Sequence, residues 1–137
     1  LAGLTEALLQ ACPGVRGMRD PTRGGLSSVL NELAAASDVG VELDERTVPV
    51  RTEVKGACEM LGLDPFYVAS EGRLVAVVSP EHADRALGAM RGHPLGRGAA
   101  TIGEVVADHP GMVTVRSLIG GSRILTMLSG EQLPRIC

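Results

Sequence analysis

The sequence predicts an α+β domain in which helices cover a mostly antiparallel sheet. Three observations indicate this class. Apolar residues recur at helical spacing in four segments, and short apolar or alternating runs typical of strands lie between and after them. The last three of these runs follow one another through tight turns. Because short connections join antiparallel strands, we expect the late strands to run antiparallel.

The composition limits the kind of protein. At 137 residues the chain is long enough for one domain with its own core. Hydrophobic residues make up 45%, but only Phe66 and Tyr67 are aromatic and the net charge is −3, which argues against a nucleic-acid surface. No apolar run approaches the ~18 residues of a membrane span. We therefore expect neither a nucleic-acid partner nor a membrane partner.

The cysteines and histidines predict no metal site. Cys12, Cys58 and Cys137 are odd in number and far apart, which fits neither a disulfide framework nor a Cys-x-x-Cys site. The three histidines also lack partners at ligand spacing. A reducing cytoplasm is the expected compartment.

Residues 1–12 form the first predicted helix. Leu1, Leu4, Leu8 and Cys12 share one face, and the Pro-Gly pair that follows ends the helix. The segment has neither a cap nor an initiating Met, so we expect the sequence to begin inside a longer protein. Residues 15–18 form a short apolar stretch that leads into the next segment.

Residues 20–25, Asp-Pro-Thr-Arg-Gly-Gly, precede the second predicted helix. Its apolar face comprises Leu26, Val29, Leu30, Leu33 and Ala34. Asp20 can cap this helix, and Pro21 suits its first turn. A helix start with nearby arginines is a natural phosphate site. The alternative is a capped helix whose glycines serve packing, and the residues alone leave both interpretations open.

Glu71 lies in a predicted turn between two strands, residues 66–69 and 74–78, and the second strand is expected to be central and buried. A carboxylate placed there can project into a cleft, and partial burial would raise its pKa toward that of a useful base. From the residues alone, an ordinary solvated turn glutamate is the favoured interpretation. A third predicted helix, residues 52–61, precedes this region, with Val54, Cys58 and Leu61 on its inner face.

The remaining chain predicts a fourth helix, from Ser79 to about Gly92, and then three strands. The strand of residues 102–106 is expected to be followed by a returning strand, residues 112–116, and then by residues 123–128. These elements complete a domain of residues 1–128, and residues 129–137 are predicted to form a flexible tail that ends on Cys137. That thiol is either an incidental surface group or a mobile carrier.

Several segments resemble the C-terminal domain of HypE, the carbamoyl dehydratase family of nickel–iron hydrogenase maturation. They are RDPTRGGL with the following NEL, LGLDPFYVASEGRLVAVV, HPLGRGAATIGEV, GGSRIL and the final LPRIC. The resemblance covers essentially all 137 residues. The D-x-T-x-G-G start is shared with the wider superfamily that is similar to aminoimidazole ribonucleotide synthetase, whereas Pro-Arg-Ile-Cys is far more specific. The implied fold is the C-terminal domain of that superfamily.

The resemblance implies a carrier chemistry. HypE accepts a carbamoyl group from HypF on its C-terminal cysteine, here Cys137, as a thiocarbamate. ATP, with magnesium, activates the carboxamide oxygen, loss of phosphate leaves a thiocyanate, and the cyano group passes to iron on a HypC–HypD complex. Glu71 would be the base. Asp20, Thr22, Arg23, Gly24 and Gly25 would line the phosphate side.

Two departures accompany the resemblance. The turn reads Ser-Glu-Gly where the family is expected to have Asn-Glu-Gly, which puts an amide hydrogen bond in doubt but not the carboxylate. The family's N-terminal half, which carries most of the ATP and magnesium site and the main homodimer interface, is absent from this sequence. We therefore expect the 137-residue chain to fold but not to hydrolyse ATP by itself, and steady phosphate release from the chain with ATP and magnesium would contradict this.

Two other function classes stay open. The first is a related ATP-dependent phosphotransferase of the same superfamily, which needs no carrier cysteine. The second is a non-catalytic module that binds an anion at the helix start and docks a partner through its tail. Replacement of Cys137 and a search for a covalent adduct on it distinguish these classes from the carrier enzyme.

Overall fold

A computed structural model describes residues 1–127 of the chain. These residues contain four α-helices and six short strands. The predicted tail, residues 129–137, lies outside this part. The elements are α1 (Ala2–Ala11), β1 (Val15–Arg19), α2 (Gly25–Ser37), β2 (Gly40–Asp44), α3 (Thr52–Leu61), β3 (Val75–Val78), α4 (Ala83–Gly92), β4 (Gly103–Val106), β5 (Val113–Arg116) and β6 (Ser122–Ile124). Three 3-10 turns lie at Pro65–Tyr67, Pro80–His82 and Pro94–Gly96. None of the described helices has the length and apolar character needed to cross a membrane.

The described strands form two sheets. β1 and β3 make an antiparallel ribbon in which Arg19 lies opposite Val75. The second sheet has the order β4-β2-β5-β6, and its pairings are antiparallel except for the parallel pair β2–β5. The predicted α+β class with mostly antiparallel pairing is confirmed, although the pairing is divided between two sheets.

The main core lies between α2 and the four-stranded sheet. Its buried members are Leu30, Ala34, Val41, Leu43, Phe66, Val113, Val115 and Leu125. Alternation explains the strand members, since residues two apart face the same side of a sheet. Leu125 follows β6 directly and is fully buried. Burial of each large aliphatic side chain contributes about 1.5–3 kcal/mol, so this core fixes α2 on the sheet.

A second, smaller core lies between α1, α4 and the β1–β3 ribbon. Leu8, Cys12 and Ala86 are buried there, and partly buried side chains of the ribbon pack against them. The predicted face of α1 is confirmed at Leu4, Leu8 and Cys12. Leu1, which was expected on the same face, is 42% exposed because α1 begins only after it.

Residues 112–116 were predicted to pair directly with residues 102–106, and this prediction is wrong. β4 and β5 run in opposite directions as expected, but β2 lies between them. The connection from β4 to β5 crosses the start of β2, where Gly111 N–H donates to the Val39 carbonyl oxygen at 2.9 Å. Gly40 permits the crossing, because a Cβ at this position would run into the Asp108 carbonyl oxygen.

The predicted strand of residues 66–69 is also wrong. The chain forms the 3-10 turn Pro65–Tyr67, because Pro65 fixes the first position and the Asp64 carboxylate accepts a hydrogen bond from Phe66 N–H at 3.0 Å. The following strand, β3, pairs with β1 alone among the described strands and is half-buried along its length. It is therefore not the central buried strand that its apolar run indicated.

Helix α3 packs on a narrower surface than its sequence predicts. Cys58 is buried as expected, but Val54 is 40% and Leu61 70% exposed. In the described part α3 contacts mainly the 3-10 turn Pro65–Tyr67, which is too short to cover more than one side chain of the expected face.

Asp44, at the end of β2, is expected to make stability depend on pH. Hydrogen bonds from the Arg46 side chain (2.7 and 3.0 Å), and then from the Arg46 amide, lower the pKa of Asp44 from 3.8 to about 2. Because the pKa of Asp44 is lower in the folded state than in the unfolded state, its ionised carboxylate stabilises the fold when the pH is above the unfolded-state pKa. This stabilisation is lost as the pH falls through the folded-state pKa. The destabilisation by Asp44→Asn, measured by urea unfolding, should therefore shrink between about pH 4 and 2. A difference between the two proteins that stays constant over this pH range would contradict the assignment.

Candidate functional site

The segment that joins β1 to α2, residues 20–24, forms a tight loop at one end of the ribbon. Thr22 N–H donates to the Asp20 carbonyl oxygen at 2.9 Å, and Gly25 N–H donates to the Thr22 carbonyl oxygen at 3.1 Å. Pro21 is buried, whereas Asp20 and Arg23 are exposed. The helix begins at Gly25 and not at Pro21, so the expected cap by Asp20 is wrong. Gly24 occupies the cap position, and no side chain within residues 1–127 caps α2.

Two glycines shape the start of α2. Gly24 and Gly25 both have left-handed backbone conformations, with φ of 71° and 59°. A Cβ on Gly25 would run into the carbonyl oxygens of Phe66 and Val68. The packing interpretation of this glycine is therefore confirmed, because the 3-10 turn and the residue after it press directly on the helix start. A helix start without a side-chain cap leaves amides and a positive dipole end available to an anion.

The loop that carries Glu71 lies beside the start of α2. Because β1 and β3 pair antiparallel, residues that follow Arg19 and residues that precede Val75 emerge at the same end of the ribbon. Ser70 N–H donates to the Pro21 carbonyl oxygen at 2.8 Å and joins the two loops. The donor is a backbone amide, so this contact does not depend on whether the side chain is serine or asparagine.

Glu71 itself is exposed, in a turn that Gly72 completes with a φ of 73°. This exposure agrees with the interpretation that the residues alone favoured, a solvated turn glutamate, whereas the expectation of two buried strands on either side is wrong. Because it directly follows Ser70, Glu71 lies at the rim of the two joined loops. The structure thus brings together the loop of Asp20, Thr22 and Arg23 and the turn of Glu71.

Charge at this rim is mixed. Arg19, at the end of β1, forms an ion pair with Glu32 on the exposed face of α2. Exposed pairs of this kind contribute about 0–1 kcal/mol. Arg19 is thus engaged by a carboxylate, whereas Arg23 extends from the loop at the helix start. Arg23 is the better placed of the two to meet an anion.

Sequence reasoning missed a set of polar contacts between α2 and the last described residues. The Ser27 hydroxyl donates to the Thr126 carbonyl oxygen at 2.6 Å. The Asn31 amide donates to the Leu125 carbonyl oxygen at 2.8 Å and to the Ser27 carbonyl oxygen at 2.9 Å. Polar residues four apart, on the side of a helix that carries its buried residues, are the signal that could have identified them.

The predicted carrier, Cys137, lies outside the described residues. The two described cysteines, Cys12 and Cys58, are buried and unpaired with each other. Within residues 1–127, no group of three or more His, Cys, Asp or Glu side chains is arranged to hold a metal ion.

Comparison with known proteins shows which family the chain matches. Residues 4–116 match the family described as AIR synthase related protein, C-terminal domain. The chain is 58% identical over 137 residues to the carbamoyl dehydratase HypE of Azotobacter vinelandii and 56% identical to that of Cupriavidus necator. It is covered completely in both comparisons but spans only about 40% of the length of these relatives.

Solved structures give the same result. A crystal structure of the hydrogenase maturation protein HypE matches with a TM-score of 0.93 at 43% identity, over all of this chain and 44% of the other. A HypE structure in complex with ATP matches with a TM-score of 0.92 at 43% identity, over all of this chain and 42% of the other. The structure of a HypE–HypF complex matches with a TM-score of 0.86 at 40% identity, over 92% and 41% of the respective chains.

Proposed function

The chain belongs to the family of AIR synthase related proteins, C-terminal domain, and from this premise we propose that it provides the carrier cysteine and one wall of the active site of a carbamoyl dehydratase. That enzyme acts in the maturation of nickel–iron hydrogenases. The relatives named carbamoyl dehydratase HypE support this proposal along the whole chain. The observation that carries it is the hydrogen bond from Ser70 N–H to the Pro21 carbonyl oxygen, because it joins the turn of Glu71 to a helix start suited to phosphate.

The proposed reaction converts a carbamoyl group on Cys137 into a cyano group. The Cys137 thiolate is the nucleophile that receives the carbamoyl group from a HypF-type partner, and the resulting thiocarbamate is a primary amide. ATP supplies a phosphoryl group to the amide oxygen. Removal of both amide protons and departure of that oxygen with phosphate leave a thiocyanate on the same sulfur. The cyano group then passes as cyanide to iron held by a HypC–HypD complex. Two electrons supplied by that complex cleave the S–C bond, so that the Cys137 thiolate is regenerated.

The chain's own residues have separate roles in this scheme. The α2 start, with Gly24, Gly25 and Arg23, would stabilise the phosphate that receives the amide oxygen, because the positive end of the helix dipole and the Arg23 guanidinium both favour negative charge there. Asp20 and Thr22 would position that loop. The Glu71 carboxylate would accept an amide proton from the thiocarbamate. A homodimer and a magnesium ion held mainly by the N-terminal half complete the proposal, and the cytoplasm is the proposed compartment.

A two-stage mass measurement tests the function. The full-length protein that contains this chain is first treated with a HypF-type carbamoyltransferase, carbamoyl phosphate and ATP, and is then purified and given fresh ATP and magnesium. In the first stage we expect one adduct on Cys137, either the carbamoyl group or the cyano group that the ATP present has already formed from it. In the second stage we expect the remaining carbamoyl adduct to lose one water. An adduct on another residue, or none, would exclude the carrier enzyme and favour the docking module.

Glu71→Gln is expected to slow the second stage alone. An amide cannot accept the proton, so dehydration should fall by about 10²–10⁴-fold while carbamoylation by the partner is unchanged. Single-turnover loss of water from the purified adduct measures the effect. Glu59→Gln, an equivalent change at an exposed position of α3, is the matched control and should retain the original rate. Equal rates for the two variants would remove Glu71 from the mechanism.

A further inference from the structure

Leu125 and Thr126, which lie just before the end of the described residues, are held on α2 close to the candidate site. We propose that Ser27 and Asn31 are positioning residues that clamp the root of the carrier tail beside the start of α2. This inference rests on the proposed role of Cys137 and extends it to residues that touch neither ATP nor the carbamoyl group. The name "tail clamp" denotes Ser27 and Asn31 together with the carbonyl groups of Leu125 and Thr126.

The clamp holds two consecutive carbonyl groups with two side chains from adjacent turns of one helix. The Ser27 hydroxyl reaches the Thr126 carbonyl oxygen at 2.6 Å, and the Asn31 amide reaches the Leu125 carbonyl oxygen at 2.8 Å. Both Ser27 and the Leu125 side chain are completely buried. Loss of the Ser27 hydroxyl would take this donor from the Thr126 carbonyl oxygen in a partly buried contact, which is more costly than the loss of a fully exposed one.

Further contacts join the root of the tail (Leu125 and Thr126) and the strand before it to the 3-10 turn Pro65–Tyr67, which lies at the start of α2. The Tyr67 hydroxyl lies 3.4 Å from Thr126 Oγ1. Arg123, in β6, forms an ion pair with Asp64 at 2.8 Å, and its guanidinium lies 5.4 Å from the centre of the Phe66 ring. The carbonyl group of that same Phe66 packs against Gly25. The tail root and the proposed phosphate site are therefore built on the same 3-10 turn.

The position of the clamp matters because of the length of chain beyond it. Ser27 lies two residues after Gly25, about 3 Å along the helix axis. Cys137 lies eleven residues after Thr126, so covalent geometry alone allows it to be as far as about 36–40 Å from Thr126. A tethered group reaches its highest effective concentration when its anchor is close to the site that it serves. Fixing the root at α2 should thus raise the frequency with which the thiocarbamate meets the site.

The first test measures position without any chemistry. Nitroxide labels are placed on Cys137 and on a cysteine introduced by Ser37→Cys at the exposed end of α2, in the full-length protein with other reactive thiols replaced. We expect the distance distribution between the labels to broaden in the double variant Ser27→Ala with Asn31→Asp. Aspartate is isosteric with asparagine but has no donor. Ser28→Ala, which removes a hydroxyl from the neighbouring buried serine outside the clamp, is the control and should leave the distribution unchanged.

The second test separates the two reactions of Cys137. Relative to the parent protein, we expect the double variant to be carbamoylated by the partner at the original rate, to bind ATP with the original affinity, and to lose water from the adduct about 5–30-fold more slowly. A merely structural role would change ATP affinity and the unfolding midpoint together with dehydration. Ser27→Ala alone, the milder change, is measured in parallel so that a folding defect of the double variant does not decide the result.

Each outcome has a defined meaning. An unchanged distance distribution with an unchanged dehydration rate would overturn the clamp, and so would a parallel loss of ATP affinity, carbamoylation and dehydration. Broadened distances in a protein whose parent form acquires no adduct on Cys137 would support the clamp and exclude the proposed function. Broadened distances with selective loss of dehydration are the expected result.

Discussion

Replacement of Cys137 by alanine in the full-length protein is expected to abolish the carbamoyl adduct and with it the phosphate release that depends on the carbamoylated protein. The thiolate is the proposed nucleophile and the atom that carries the product, so alanine leaves no group to accept the carbamoyl carbon. Intact mass after incubation with the carbamoyltransferase measures the first effect. A phosphate-release assay with ATP and magnesium measures the second.

Cys58→Ala is the matched control for this change. Cys58 is buried in α3 and cannot exchange groups with a partner protein, so the adduct and the phosphate release should persist. A phosphate-release rate that is the same with and without Cys137 would contradict the carrier and would favour a related ATP-dependent phosphotransferase.

Gly25→Ala is expected to cause a large loss of stability, because both the backbone conformation and the surroundings of Gly25 disfavour a Cβ. A left-handed backbone costs about 1–2 kcal/mol with a Cβ, and overpacking against the carbonyl oxygens of Phe66 and Val68 adds about 1–3 kcal/mol. The free energy of unfolding should therefore fall by about 2–5 kcal/mol. Urea unfolding of the full-length protein, monitored at this domain, measures the difference.

Gly62→Ala isolates the backbone contribution. Gly62 ends α3 with a φ of 67°, similar to that of Gly25, but nothing lies within 4 Å of the position where its Cβ would be built. Its substitution should cost only about 1–2 kcal/mol. Equal losses at the two positions would show that Gly25 is required for its backbone conformation and not for close packing with the 3-10 turn.

The helices were predicted best from the sequence, because their apolar residues repeat over many positions within one segment. The helical faces of α1 and α2 are confirmed, because residues three and four apart face the same neighbour in any fold that buries them. Residues 66–69 were wrongly predicted to form a strand. Asp64 and Pro65 fix a 3-10 turn there through purely local bonds, which outweigh strand propensity. The place of β2 between β4 and β5 depends on long-range pairing, which no local pattern reports.

The candidate site shows the same division. The glycine-rich helix start could be predicted from six consecutive residues, and the resemblance to HypE from motifs along the whole chain. The approach of Glu71 to that start could not, because it depends on the antiparallel register of β1 with β3 and on one backbone hydrogen bond, from Ser70. The contacts of Ser27 and Asn31 join positions 94–99 residues apart, which sequence spacing cannot reveal.

The burial of Leu125 has a consequence for how the domain forms during synthesis. β2 pairs with residues about 60–70 positions further along the chain, and the main core of the described part includes Leu125. Such long-range contacts make folding slow and leave apolar surface exposed until the last strand is available. A nascent chain therefore completes its hydrophobic core and fixes the base of the tail in one step. Premature termination before Leu125 should yield an aggregation-prone product and not a folded protein that merely lacks its thiol.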